Sequence, residues 1–123
     1  MATWQEIGTD NLRAATLLYL NGRYRSSVSR SYYAAFSLLT HTLLQGGASF
    51  GDNQEAPSHR SLPKLVKQHL ALRNNRECVA IIRRLYAARI AADYQRRTTD
   101  EATARDVRRD LAQLLRYLGV NDD

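Results

Sequence analysis

The sequence has few of the residues that build disulfides and metal sites. Its single cysteine, Cys78, excludes an intramolecular disulfide. Because Cys78 lies among apolar residues, we expect a buried structural thiol in a reduced, cytoplasmic setting. The three histidines, His41, His59 and His69, occur without a Cys-x-x-Cys or a His-Glu-x-x-His motif. We therefore expect no metal site and no cofactor.

Long apolar segments and nucleotide-hydrolysis motifs are also missing. No run approaches the roughly 18 apolar residues of a membrane-spanning helix, and the first residues lack the basic-then-apolar order of a signal peptide. We therefore expect a soluble cytoplasmic protein with no membrane partner. Gly46, Gly47 and Gly51 precede no Gly-Lys-Ser or Gly-Lys-Thr sequence, which excludes a Walker-type nucleotide hydrolase.

Positive charge is plentiful and comes almost entirely from arginine. The formal net charge is +6, with 16 Arg and 2 Lys among the 123 residues. Arginine favours bidentate contacts to phosphate and stacking on bases, so the composition suits a nucleic acid or another acidic partner. The alternative is a solvated basic surface without such a partner, since net charge promotes non-specific association and does not specify an activity.

Apolar periodicity predicts five helices and no strand. The helices are predicted over about residues 4–21, 23–45, 58–72, 77–96 and 98–118, with either Ser58 or Ser61 as the cap that starts the third. Residues 46–57 are dense in turn formers and predict the one long loop, and residues 73–76 predict a further turn. The expected fold is a single all-α domain, residues 1–123, in which four main helices and a short extra helix form an antiparallel up-and-down bundle.

Local signals mark the ends of these helices. Thr3-Trp-Gln-Glu6 and Thr98-Thr-Asp-Glu101 have the spacing of a capping box and predict the starts of the first and last helices. Gly22 and Gly119 follow predicted helix ends, where a left-handed residue is common. Pro63 suits the first turn of the short helix, because its missing N–H has no partner there.

The fourth predicted helix carries an apolar stripe that turns polar. At about 100° per residue, Val79, Ile82, Tyr86, Arg89 and Asp93 fall on one side of the helix. Charged side chains are rarely buried unless they are paired. Two interpretations stay open: Arg89 and Asp93 form a structural i,i+4 ion pair inside the fold, or they line a cleft in which Arg89 grips a phosphate.

Five segments of the chain form a recognisable set. The two more specific ones are Arg30-Ser-Tyr-Tyr-Ala-Ala-Phe36 and Leu85-Tyr-Ala-Ala-Arg-Ile-Ala-Ala-Asp-Tyr94. The other three are Gly22-Arg-Tyr-Arg25, Ser58-His59 and Thr98-Thr-Asp-Glu-Ala-Thr-Ala104. In this order they span nearly the whole chain and together resemble the HEPN domain family, in its small stand-alone, UPF0332-like branch.

The resemblance implies an antiparallel helical bundle that forms a homodimer and is often encoded beside a minimal nucleotidyltransferase as a toxin–antitoxin pair. Many HEPN proteins are metal-independent ribonucleases whose two protomers bring an Arg-x4-6-His motif into one shared cleft. Here Arg89 occupies the expected helix, but Tyr94 stands where the His is expected, and no such Arg-to-His spacing occurs in the chain. A tyrosine, with an ordinary pKa of about 10, is a poor proton acceptor near neutral pH. This argues against ribonuclease activity and leaves the question of an enzyme open.

The candidate site follows from the stripe and the resemblance. Arg89 is the candidate catalytic residue, and the candidate ligand-binding residues are Arg30, Arg89, Asp93, Tyr94 and His59. If the second helix packs on the fourth, Arg30 joins Arg89 in one basic groove. His59 matches the family's His at that point, with capping or packing as its alternative role. Tyr94 lies about 140° round the helix from Arg89, so packing is the alternative for its ring.

Three functions remain open at this stage. The first is a dimeric HEPN-type module that binds RNA or another phosphate-bearing ligand in a basic cleft. The second is a non-catalytic interaction module that partners a minimal nucleotidyltransferase. The third is a sensor of a small-molecule nucleotide.

Overall fold

The protein packs its helices around one long central helix. In a computed structural model, residues 1–51, 54–70 and 74–120 are described, and they contain five helices and no strand. The helices are α1 (Trp4–Leu20), α2 (Tyr24–Gln45), α3 (Leu62–His69), α4 (Asn75–Tyr94) and α5 (Glu101–Leu118). Helix α2 contacts each of the other four, and α4 also packs on α3 and α5. The predicted all-α bundle of four main helices and a short extra helix is confirmed.

Helices α1 and α2 form a hairpin with a very close approach at Gly8. A Cβ atom added to Gly8 would lie 2.6 Å from Leu38 Cγ, so a side chain there would collide with the core. In the same buried interface, Ser27 Oγ donates to the carbonyl of Ala15 at 2.8 Å. Tight backbone packing and a satisfied buried hydroxyl thus join the two helices.

Most of the predicted helix ends are confirmed. The hydroxyl of Thr3 accepts the N–H of Glu6 at 3.1 Å and caps α1. Gly22 and Gly119 have φ angles of +72° and +73°, in the left-handed region that glycine adopts without strain. Pro63 lies in the first turn of α3.

The short helix α3 and the preceding loop agree with their predictions in the described part of the chain. Residues 46–51 and 54–57 contain no helix or strand, while residues 52 and 53 lie outside the described residues. Helix α3 follows Ser61, whose N–H donates to the Ser58 hydroxyl at 3.2 Å. The predicted end of this helix near residue 72, and the start of the predicted turn at residue 73, lie outside the described residues.

Helix α4 ends earlier than its sequence pattern predicts, at Tyr94 and not near residue 96. The reason is a contact from α2. The guanidinium of Arg25 donates to the carbonyls of Ala92, Gln95 and Arg97. It thereby satisfies carbonyl groups that have no helical partner at a helix end.

The predicted start of the last helix is wrong in detail. The carboxylate of Asp100 caps α5 by accepting the N–H of Thr103 at 2.8 Å, and Glu101 is the first helical residue. Thr98 therefore lies before the cap, and the predicted capping box does not form. A carboxylate accepts this bond and also interacts favourably with the positive end of the helix dipole, so it is preferred over the hydroxyl.

The core lies between α2 and the helices around it. Its larger fully buried side chains include Leu38, Leu39, Leu43, Leu62, Ile81, Leu85, Leu114 and Leu115. Cys78 is fully buried among them, and burial raises the pKa of its thiol, as expected for a structural cysteine. None of the helices in the described residues combines the length and the apolar content that a membrane crossing requires.

Candidate functional site

The polar end of the α4 stripe is a group of four side chains, Arg89, Asp93, Tyr33 and Tyr94, which we call the Arg89 cluster. Asp93 Oδ2 lies 2.8 Å from Arg89 Nε, and Arg89 Nη2 donates to the Tyr33 hydroxyl at 2.6 Å. The guanidinium carbon lies 5.2 Å from the Tyr33 ring centre and 5.5 Å from that of Tyr94. The side chains of Arg89 and Asp93 are 13% and 26% exposed. The i,i+4 ion pair is therefore present and largely removed from water.

The contacts of Asp93 extend the cluster toward α2. Arg89 Nε is buried without a well-aligned hydrogen bond, so its short contact with Asp93 is mainly Coulombic. Asp93 Oδ2 also accepts from Ser29 Oγ at 3.3 Å. Arg30 donates to Asn11 Oδ1 at 3.1 Å and lines, together with Asp93, a surface hollow of about 230 Å³. Asp93 thus lies between the two arginines that the sequence singles out.

His59 lies on the other side of Tyr33, in a group of rings that we call the aromatic cluster: Tyr32, Tyr33, Phe36, His59 and Tyr86. The Tyr32 hydroxyl and His59 Nδ1 are 2.5 Å apart. The ring centres of Phe36 and Tyr86 lie 4.9 and 5.6 Å from that of His59. Because Tyr33 belongs to both clusters, α2 connects the surroundings of His59 to those of Arg89.

A cavity of about 500 Å³ opens beside His59, between α3 and α4. It is lined by His59, Arg60, Pro63, Lys64, Lys67, Ile82, Arg83 and Tyr86. We call it the basic cavity, because four of these residues are cations and none is acidic. The ion pairs within residues 1–51, 54–70 and 74–120 involve Arg84, Arg89 and Arg109 and none of these four cations.

Comparison with known proteins identifies the family. The HEPN domain family model matches residues 1–120. The chain belongs to the HEPN family. Neither the curated proteins nor the solved structures contain a significant match to it. The resemblance carried by five separate segments of the sequence is therefore confirmed, and the family match also covers the residues between them.

Burial and the nearby arginine determine the protonation of His59 in this HEPN domain. Burial lowers the pKa of His59, and the positive charge of Arg89 lowers it further. Burial also raises the pKa of Tyr32 well above its usual value, with a further contribution from Tyr86. At neutral pH a protonated Tyr32 hydroxyl therefore faces a neutral imidazole, and if the hydroxyl donates to Nδ1, the His59 proton lies on Nε2.

The charge of Arg89 is stabilised despite its burial. Burial alone disfavours the guanidinium, but Tyr33, Asp93 and Tyr94 together raise the pKa of Arg89 above its usual value. Arg89 is therefore a permanent cation held by three side chains. Its guanidinium is largely occupied by contacts within the protein.

The HEPN fold brings some of the predicted site residues together and separates others. Arg89, Asp93 and Tyr94 lie in one cluster, and Arg30 reaches the hollow beside Asp93. Arg89 is not among the residues that line this hollow. His59 lies beyond Tyr33 and lines the basic cavity instead. The candidate residues thus form two adjoining groups and not a single groove.

Sequence reasoning missed most of the basic cavity. Arg60, Lys64, Lys67 and Arg83 belong to it, and the periodicity of α4 places Tyr86 on the apolar stripe without indicating a cavity. Part of the signal is visible in the sequence, since Lys64 and Lys67 share one helical face and Arg83 and Tyr86 share another. Only the tertiary structure shows that α3 and α4 place these faces on opposite sides of one cavity.

The described residues contain no group of three or more His, Cys, Asp or Glu side chains that could hold a metal ion. The side chains around the basic cavity are cations, aromatic rings and the apolar Pro63 and Ile82, a lining that suits an anionic ligand and not a cation.

Proposed function

We propose that this HEPN module binds RNA, or another phosphate-bearing ligand, at the basic cavity. The observation that carries the proposal is the set of four cations around a cavity of about 500 Å³ whose lining has no acidic side chain. Neighbouring like charges repel one another, and a bound phosphate relieves that repulsion. Release of counterions from a nucleic acid adds to the binding free energy.

The Arg89 cluster has a supporting role in this proposal. Arg89 already contacts Asp93 and Tyr33, so we do not propose it as a primary phosphate ligand. Its proposed role is to position the side chains behind His59. Tyr94 is exposed at the end of α4, roughly 16 Å along the helix from Arg83. Arg30 of α2 is also exposed and lines the hollow beside Asp93. They extend the surface that a strand leaving the cavity would follow. We propose binding without strand cleavage, because Tyr94 stands where the ribonucleases of the family have His.

The test is binding of a fluorescein-labelled single-stranded RNA, followed by fluorescence anisotropy over a range of salt concentrations. We expect the affinity of the native chain to fall as salt rises. In the variant Lys64→Ala/Arg83→Ala, the negative slope of log K against log salt should become shallower by about 1.4, or about 0.7 for each lost phosphate contact. A cleavage assay on the same RNA, read by gel, should show no product.

The matched control is Arg13→Ala/Arg105→Ala, which removes the same charge from exposed positions on α1 and α5. It should keep most of the affinity and the slope of the native chain. If the two double variants weaken binding equally, net charge and not the cavity is responsible. If the native chain does not bind RNA, the proposal of RNA as the ligand is wrong.

One observation favours a second candidate, an interaction module that partners a minimal nucleotidyltransferase, as in a toxin–antitoxin pair. Leu17 and Leu20 on α1 are 61% and 71% exposed, and exposed apolar side chains one turn apart are typical of a contact surface. Under this proposal, Leu17→Glu/Leu20→Glu abolishes a complex with such an enzyme in size-exclusion chromatography. It leaves RNA binding unchanged. Light scattering of the native chain also tests the proposed homodimer.

A further inference from the structure

The basic cavity contains more than a phosphate patch requires. A surface that only neutralises backbone phosphates needs cations, whereas this cavity also has an apolar wall formed by Pro63 and the buried Ile82. Its volume of about 500 Å³ lies within the range of sites for small organic ligands, roughly 300–1,000 Å³. The combination suits a ligand with a flat, partly apolar portion and an anionic portion.

Tyr86 provides a flat surface for such a ligand. The residue is 37% exposed although the ring centres of Tyr32 and His59 lie only 5.6 Å from that of Tyr86. The Tyr32 ring meets it edge-on, and the His59 ring is tilted by 34°. The neighbouring rings therefore hold Tyr86 in place while part of its surface stays open to the cavity. A fixed, exposed aromatic ring is a typical platform on which an unpaired base stacks.

The cations lie where they can bind the phosphates of the same nucleotide. Arg83 is one turn before Tyr86 on α4, and Lys64 and Lys67 face it from α3 across the cavity. A base against Tyr86 thus has cations of two helices around it. In a duplex, the base faces are covered by their neighbours, so a paired strand can offer only its phosphates to this cavity.

We propose that the basic cavity is a pocket for one unpaired nucleotide within a strand, with its base stacked on Tyr86 and its phosphate among Lys64, Lys67 and Arg83. This inference rests on the proposed function, and it names the form of the ligand: single-stranded nucleic acid, not a duplex.

The experiment compares a labelled single-stranded RNA with a hairpin of the same base composition, at equal salt. The two arms of the hairpin are joined by a polyethylene glycol linker, so that every base is paired. We expect the native chain to bind the single strand at least tenfold more tightly, in line with the roughly 5- to 150-fold contribution of one stacked base. Tyr86→Leu should remove most of this preference and leave hairpin binding unchanged. Tyr86→Trp, which keeps a stacking surface, should retain the preference. Tyr117→Leu, an aromatic replacement on α5 outside the cavity, is the matched control.

A second measurement tests base stacking on the native chain and needs no variant. A 2-aminopurine base placed in the single strand should change its fluorescence on binding to the native chain, and the change should be absent for the hairpin. Equal binding of strand and hairpin, with no effect of Tyr86→Leu, overturns the pocket and leaves phosphate binding intact. Absence of binding to either RNA overturns the proposed function as well. Free uridine monophosphate that binds as tightly as the strand overturns the assignment to a nucleotide within a strand.

Discussion

The energetic role of the Arg89–Asp93 pair can be measured by a double-mutant cycle on folding stability. Asp93→Asn removes one charge with little change of shape, and Arg89→Met keeps a long apolar stem while removing the other. At 2.8 Å and an effective dielectric constant of about 20, the gross attraction is about 6 kcal/mol. Removing the two groups from water offsets most of it. We expect a coupling free energy of about 1–2 kcal/mol.

The single variants should cost more than the coupling alone. Asp93→Asn leaves Arg89 Nε buried without its counter-charge, which should lower the free energy of unfolding by about 1–3 kcal/mol. Arg89→Met also removes the bond to the Tyr33 hydroxyl. Urea denaturation of the native chain, the two single variants and the double variant, followed by far-UV circular dichroism at pH 7, gives all four free energies.

The control for this cycle is the pair Arg109–Asp106, which is separated by 3.8 Å and whose side chains are 72% and 68% exposed. Water screens such a pair, so its coupling should be below about 0.5 kcal/mol. If the Arg89–Asp93 coupling is no larger than that of the exposed pair, the partial burial of Arg89 does not strengthen the interaction. The physical account of the Arg89 cluster is then refuted.

Three further predictions concern the fold. Asp100→Ala should lower the melting temperature measured by circular dichroism, because it removes the cap of α5, while Thr98→Ala should not change it. The folded-state pKa of His59 is lowered, so the unfolded chain binds more protons below about pH 6.5 and stability should fall as the pH decreases through this value. His59→Phe should reduce that dependence in denaturation measured from pH 8 to pH 5.5, and an unchanged slope would contradict the assignment. Gly8→Ala should lower the free energy of unfolding by about 1–2 kcal/mol, since its Cβ would lie 2.6 Å from Leu38 Cγ and the overpacking exceeds the gain in helix propensity. A stabilised variant in urea denaturation would show that the two helices can separate at no cost.

The sequence predicted the helices well because their signals are local. Apolar periodicity, the Thr3 cap and the glycines after helix ends act within a few residues, so no tertiary contact has to be known. The errors occur where another group competes. Thr98 and Thr3 have the same spacing to a glutamate, but Asp100 takes over the capping role at α5. The end of α4 depends on Arg25, a residue of another helix that the periodicity of α4 cannot report.

The candidate site also depends partly on local sequence signals and partly on contacts between helices. The sequence by itself determined the HEPN resemblance and the i,i+4 spacing that lets Arg89 meet Asp93, because residue order and spacing can be recognised without knowledge of tertiary contacts. It also predicts that Tyr94 stands where the resemblance implies a His. Only the tertiary structure decided that Tyr33 bonds Arg89 and that His59 lies among the rings of α2 and α4.

Only the tertiary structure decided that the basic cavity exists as one site. Its cations are Lys64 and Lys67 on α3, Arg60 two residues before α3, and Arg83 on α4. Each group alone has the pattern of an ordinary solvated helix face. They become one site because the apolar residues Leu62 and Val66 bury α3 in the core beside α4 and leave its lysines at the surface. Packing of the apolar faces therefore decides where the charged faces meet.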